Sequence, residues 1–268
     1  MPTAGGVRYI EALPPPSARA RGALVLLHAF PLNARMWEGQ LAFAGHGWHV
    51  IAPHMRGADG GLDDRPTASV TMDDYAADIV DLLDALHVED AVLCGLSMGG
   101  YLALALMRHA PTYIRGLILA DTKSQADTAE GLEARRGMLS LVETQGVKAV
   151  AEAMIPKLLG ATTQAQHAQV VERVRTLITA NSPESVAGSV RALMSRHDST
   201  SLLASIRVPT LVIVGDQDVV TPPANADELR EKIPGAELVR IANAGHLSNL
   251  EAPDAFNAAL TRFLDHRV

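Results

Sequence analysis

Ala91-Val92-Leu93-Cys94-Gly95-Leu96-Ser97-Met98-Gly99 is the stretch on which the reading of this 268-residue chain turns. Ala91 to Cys94 is short, apolar and closed by Gly95, the pattern of a buried strand. Tyr101-Leu102-Ala103-Leu104-Ala105-Leu106-Met107 continues as a helix. Between them Ser97 stands with a glycine two residues away on each side. A sharp strand-to-helix turn strains such a serine and exposes its hydroxyl, while the flanking glycines let the two backbones pass closely. Ser97 is therefore the candidate nucleophile.

A serine hydroxyl is a poor nucleophile at neutral pH and needs a base within hydrogen-bond reach, which in turn needs a partner to fix its tautomer. Both occur further along the chain. The apolar run Leu211-Val212-Ile213-Val214 leads into Gly215-Asp216-Gln217-Asp218-Val219-Val220-Thr221-Pro222-Pro223, placing two carboxylates just beyond a strand end. Leu238-Val239-Arg240-Ile241 then leads into Asn243-Ala244-Gly245-His246-Leu247, a second strand running into a loop with a histidine. The order serine, acid, histidine matches one of the three known chain orders of serine hydrolases.

Four segments taken in order resemble the α/β-hydrolases, and most of all their small esterases, enol-lactonases and perhydrolases. They are Leu27-His28-Ala29-Phe30-Pro31 with Met36-Trp37, Gly95 to Gly100, Gly215 to Pro222, and Gly245-His246 followed by Glu251-Ala252-Pro253. The resemblance covers nearly the whole chain. It implies Ser97 as nucleophile, His246 as general base and acid, and Asp218 as the orienting carboxylate, with Asp216 as the fallback. It also implies an oxyanion hole made by the amides of Met98 and Phe30, with Ala29 standing where the family usually has glycine. His28 is expected to support that loop by hydrogen bonding. Perhydrolase-like members carry a proline beside the oxyanion residue, so Pro31 implies some peracid formation beside ester hydrolysis.

The remaining pattern predicts the frame that would carry these groups. Val7–Leu13 reads as an edge strand, followed by a stiff Leu13-Pro14-Pro15-Pro16 turn. Ala23–His28, Trp48–Ala52 and Ile114–Ala120 read as further strands, and Met36–Ala44 and Met72–Leu86 as helices, the latter capped by Thr71 with Asp74. Strands alternating with helices imply an α/β fold with a mostly parallel, doubly wound sheet whose functional loops lie at the carboxyl ends of the strands. Ser97, Phe30, Asp218 and His246 all fall there. Between Asp121 and Arg196 the strands stop, and helices are predicted over about 130–145, 147–159, 164–180 and 184–197, the last begun by Ser182-Pro183. The expected division is a hydrolase core over 1–121 and 198–268 with a helical cap over 122–197. Such a cap would exclude water and shape an apolar pocket, for which Pro31, Met138, Met154, Leu158, Val219 and Leu247 are candidates.

Composition sets limits on function. A net charge of -7 without a lysine or arginine run argues against a nucleic-acid partner. No apolar run is long enough to cross a bilayer and Met1–Arg8 lacks the pattern of a leader, so the expectation is a cytoplasmic enzyme with a small-molecule ester as its partner. No cofactor and no metal are expected: His46, His49 and His54 lack ligand spacing, and Cys94 lies inside an apolar run. Asp59, Asp63 and Asp64 read as a solvated acidic loop, and Asp121 as a residue at the cap hinge. A serine esterase using an acyl-enzyme is the leading function; enol-lactonase as the main activity, or a hydrolase-fold receptor that binds without turnover, are the alternatives. The oligomeric state is not encoded in these patterns.

Overall fold

The apolar runs of the sequence become the centre of one sheet. In the computed structural model, which describes residues 1–61 and 65–268, eight strands lie in the order β1-β2-β4-β3-β5-β6-β7-β8. They are β1 (Thr3–Ala4), β2 (Val7–Ala12), β3 (Gly22–Leu27), β4 (Trp48–Pro53), β5 (Ala91–Leu96), β6 (Ile114–Ala120), β7 (Thr210–Gly215) and β8 (Glu237–Ile241). β3 to β8 pair in parallel, while β2 runs antiparallel to β4 and carries β1 outside it, so the expected edge strand is one place in from the edge. Both faces of a parallel sheet are covered, which is why β5 and β7 are buried at every residue and read as continuous apolar runs. Register is set accordingly: Leu26 lies beside Cys94, Cys94 beside Ile118, and Ile118 beside Leu211.

Helices α1 (Met72–Ala85) and α2 (Met98–His109) follow β4 and β5. Thr71 and Asp74 form the expected reciprocal cap on α1, with Asp74 N donating to Thr71 Oγ1 at 3.1 Å and Thr71 N to Asp74 Oδ2 at 2.8 Å. The helix expected over Met36–Ala44 is a 3₁₀ segment from Ala34 to His46, begun by Asn33 and ended by Gly47 at φ 91°.

Between β6 and β7 the chain is helical throughout: α3 (Ala129–Leu158), α4 (Ala161–Gln166), α5 (Ala168–Thr179) and α6 (Pro183–Ser195). The two helices expected before Leu159 meet at Gly146, where φ 76° and ψ −178° break the ladder, so that α3 is two helical stretches, 129–145 and 147–158, joined by a kink. The single helix expected over 164–180 is instead divided at His167, whose φ −127° and ψ 61° are not helical. Ser182 caps α6 by accepting from Ser185 N at 3.1 Å. The chain closes with α7 (Pro223–Lys232), the one-turn α8 (Ser248–Glu251) and α9 (Pro253–His266).

Of the expected acidic loop, Asp63 and Asp64 lie outside the described residues. Asp59 is not solvated: its side chain is half-buried facing Arg35, and its amide donates to Asn181 Oδ1 at 2.8 Å. Tertiary contact with the helical insertion overrides the polar composition of that loop.

Candidate active site

Ser97 occupies the turn from β5 into α2 with φ 55° and ψ −111°, a backbone state that non-glycine residues hold only when their surroundings enforce it. The surroundings are visible. A Cβ on Gly95 would run into the Gly99 carbonyl, and one on Gly99 into the Leu27 carbonyl of β3, so strand and helix meet at a separation that only glycine permits. Ser97 N donates to Ala120 O at 2.9 Å and Thr122 Oγ1 donates to Ser97 O at 2.9 Å, fixing the turn from the β6 side.

The strand-end loops then bring the predicted partners together. Ser97 Oγ lies 2.8 Å from His246 Nε2, and His246 Nδ1 lies 2.8 Å from Asp218 Oδ2. Asp218 also accepts from Val220 N at 2.8 Å, Thr221 N at 3.0 Å and Thr221 Oγ1 at 2.7 Å, so its carboxylate is held rigidly by its own turn. Asp216 faces elsewhere, accepting from Asn243 N at 2.8 Å on the exposed side of the loop. Ser97 is 7% exposed, Asp218 3% and His246 1%, so the three lie where water is largely excluded.

Burial opposes charge on both ends of this chain and loses to the pairing. It is the largest single influence on His246, pulling its pKa down, yet the charge and hydrogen bond of Asp218, helped by Asp121 and Glu251, lift it above the ordinary histidine value. Asp218 is likewise pushed up by burial and brought below the usual carboxylate range by His246 and Thr221 together. Behind them stands Asp121 at φ 45°, accepting from Ser248 Oγ at 2.5 Å and Gly215 N at 2.8 Å. Burial, reinforced by the negative charge of Asp218, raises its carboxyl to about 7. The residue expected at the cap hinge thus sits beneath the histidine loop.

Among the described residues neither the Phe30 nor the Met98 amide donates to a protein group, and Met98 opens α2, where the helix dipole favours an anion. His28 Nε2 accepts from Met55 N at 3.1 Å, so the Nδ1 proton points at Ala29 O, 3.1 Å away. Burial holds its pKa down to about 4, so it is a neutral strut for the loop, as expected. Ala29 is not among the residues with positive φ, so the loop needs no glycine there. Phe30 and Pro31 are joined by a cis peptide.

The candidate pocket residues separate. Pro31, Leu158 and Leu247 are buried, Met138 and Met154 are half-buried against the core, and Val219 is 67% exposed, facing solvent rather than a closed cavity. The three clustered histidines do not converge. His49 pairs with Glu11 at 2.9 Å, His46 lies against the Phe43 ring, and His54 is buried near His28 and Arg8, with burial lowering its pKa to about 3.

Sequence reasoning missed the residues that seat this machinery. Asn181, two residues past α5, donates to Pro31 O at 2.8 Å and Leu32 O at 3.2 Å, tying the helical insertion to the loop after β3. Gln217 ties the acid loop to Thr162, and Glu251 accepts from backbone amides on both sides of His246. Thr221, three residues after Asp218, was the one with a local signal, since an Asx-type turn brings such a hydroxyl back onto the carboxylate.

A nucleophile elbow at a strand end, a serine–histidine–carboxylate relay whose members occur along the chain as serine, acid, histidine, and an all-helical insertion after β6 define the alpha/beta hydrolase fold. The profile of that family matches residues 22–253, and the chain belongs to it. It is 31% identical over 240 residues to 3-oxoadipate enol-lactonase 2 of Acinetobacter baylyi, covering 90% of this chain and 87% of the relative. Among solved structures it superposes on a thermophilic esterase from Thermogutta terrifontis with a TM-score of 0.89 at 34% identity, over 97% of this chain and 93% of that one. The enol-lactonase from Burkholderia xenovorans gives a TM-score of 0.87 at 28% identity over 98% of each chain. The chain is a hydrolase. Among the described residues no helix is long and apolar enough to cross a membrane.

Proposed function

We propose that this hydrolase cleaves carboxylic esters, open-chain or cyclic, through an acyl-enzyme on Ser97, with no cofactor. The observation that carries the reading is the continuous relay from Ser97 Oγ through both imidazole nitrogens to Asp218, each link 2.8 Å long, beside two unengaged amides at Phe30 and Met98. Ser97 Oγ attacks the carbonyl carbon as His246 Nε2 takes its proton, and the new oxyanion is held by the two amides. The carbon–oxygen bond to the leaving group breaks as the imidazolium returns the proton to the alkoxide. Water, deprotonated by the same nitrogen, attacks the acyl-serine, the acid departs and Ser97 recovers its proton. Asp218 keeps the proton on Nδ1 throughout, and the raised pKa of His246 makes the imidazolium a stable partner for the oxyanion.

The named relatives support both ester and lactone substrates, since the same bonds form and break in each. Hydrogen peroxide in place of water in the second half would release a peracid. Pro31 supports this as a side reaction, because its ring fixes its own φ and restricts the angles of Phe30, which can turn the Phe30 carbonyl toward the pocket. Pro31→Leu is expected to lower peracid formation relative to hydrolysis. The decisive measurement is hydrolysis of 4-nitrophenyl acetate by the purified protein against Ser97→Ala. A wild type no faster than that variant would sink the reading of Ser97 as an acyl-enzyme nucleophile for esters.

A further inference from the structure

Glu251 has no part in the chemistry just described, yet its carboxylate joins two elements that the chemistry needs to be fixed. It ends the one-turn α8 and folds back on the histidine loop. Oε1 accepts from Gly245 N at 2.9 Å and Leu247 N at 3.1 Å, the amides on either side of His246. Oε2 accepts from Gly160 N at 2.8 Å, in the joint between α3 and α4 of the helical insertion. The amide of His246 itself donates to Leu158 O of the same joint at 3.0 Å. The two backbones touch: a Cβ on Gly160 would lie 2.8 Å from Gly245 N. From the acid loop, Gln217 reaches the same joint, donating to Thr162 Oγ1 at 2.7 Å and accepting from Thr162 N at 3.0 Å. All three amides around the histidine are thus held, two by one carboxylate and one by the insertion.

We infer that Glu251 is a positioning residue that locks the His246 loop to the helical insertion, so that the seating of the insertion sets where His246 Nε2 stands relative to Ser97 Oγ. The inference rests on the proposed role of His246 as base. Only a carboxylate fits the position, because every group facing it is an N–H: an ionised head accepts at both oxygens, whereas a glutamine must turn its NH₂ toward one set of amides. Glu251 also carries charge toward the base. The ionisable groups facing His246 are Asp218 from the acid loop, Asp121 from the end of β6 and Glu251 from α8, and each favours the imidazolium. Removing the Glu251 charge therefore weakens proton binding at His246.

The test uses Glu251→Gln and Gly160→Ala in the full chain, with 4-nitrophenyl acetate kinetics and an NMR pH titration of the His246 imidazole nitrogens. Glu251→Gln is expected to lose roughly ten-fold or more in kcat with KM within about two-fold, since a small displacement of a base is felt in the chemical step. Its kcat/KM acid limb and the His246 titration should both move to lower pH. Gly160→Ala, which attacks the joint from the insertion side and keeps the charge, should lose kcat without that pH shift. A Glu251→Gln protein that only melts earlier, with kcat and the His246 titration as in wild type, overturns the inference; so does a Gly160→Ala with wild-type kcat. The NMR titration does not depend on turnover. A wild type that fails to hydrolyse esters would therefore remove the functional reading while the control of His246 by Glu251 is still read.

Discussion

Replacing Asp218 by asparagine should disable this site through the tautomer of His246 and not through loss of structure. The direction in which the new side chain must lie follows from its partners. Asp218 Oδ1 accepts from two backbone amides, Val220 N at 2.8 Å and Thr221 N at 3.0 Å, which can never become acceptors. The amide oxygen of asparagine must take that place, so its NH₂ takes the place of Oδ2. There it faces Thr221 Oγ1, which can rotate and accept, and His246 Nδ1, which can accept only if unprotonated. The ring proton moves to Nε2, aimed at Ser97 Oγ, and the nitrogen that should remove the serine proton has none of its lone pair free. Wrong-tautomer substitutions of this kind cost about 10⁴-fold in kcat, or about 5.4 kcal/mol of transition-state stabilisation. Folding should lose far less. Every hydrogen bond keeps a partner, and exchanging charge-assisted bonds for neutral ones costs on the order of 1–2 kcal/mol, a few degrees in Tm for a chain of this size. The assay is 4-nitrophenyl acetate turnover beside thermal unfolding. An Asp218→Asn protein that keeps its fold and hydrolyses within about ten-fold of wild type would refute both the tautomer argument and the assignment of Asp218.

The same reasoning extends to the groups around the site. Asn181→Ala strips Pro31 O and Leu32 O of their donor and leaves the Asp59 amide without its acceptor, while Asn33 keeps its bond to Leu177 O at 2.9 Å. It should cost about 2–4 kcal/mol of stability and loosen the oxyanion loop. The expected readout is a lower kcat at nearly constant KM and weaker binding of a trifluoromethyl ketone; unchanged affinity for that transition-state mimic would show that the loop holds without the insertion. Stability should also vary with pH in a way set by three groups. His246 is raised above 6.5, so its contribution is complete below that value and is lost as pH rises through its folded pKa. Asp218 is depressed below 3.8, so its contribution is complete above that value and is lost as pH falls. The pair therefore supports the fold most between them. Asp121, raised from 3.8 to about 7, favours the fold when protonated, and that contribution fades across this interval. Asp121→Asn should flatten the decline in Tm between the two values, and a profile parallel to wild type would mean that Asp121 is ionised throughout. With His246 as the proposed base, which works only when neutral, the acid limb of kcat/KM is expected to have its midpoint above 6.5.

What could be read in advance depended on how far apart in the chain the deciding contacts lie. The central strands β3, β5, β6 and β7 were legible because a strand buried on both faces needs only consecutive apolar residues, and the sequence prints Leu24 to Leu27 or Leu211 to Val214 without interruption. Ser97 and Asp218 were legible because each lies just past such a strand, and His246 because it lies in the loop after the edge strand β8, so each position is written locally even though its partner is remote. Asn181 was not: it reaches Pro31 across 150 residues, and nothing about an asparagine after Ala180 marks it. Glu251 stood in a recognised motif, but its work is done on Gly160, 91 residues away in a segment whose helical character could be read but not how its helices divide or dock. Val219 failed for the opposite reason, since adjacency to Asp218 suggested the pocket while the carboxylate's own turn directs its neighbour outward. The chemistry is thus written in short strand-end segments, and its adjustment in contacts between insertion and core. A relative that kept the elbow, the acid and the histidine but rebuilt residues 158–162 would be read from sequence as the same enzyme. By the geometry here, it would hold its base in a different place.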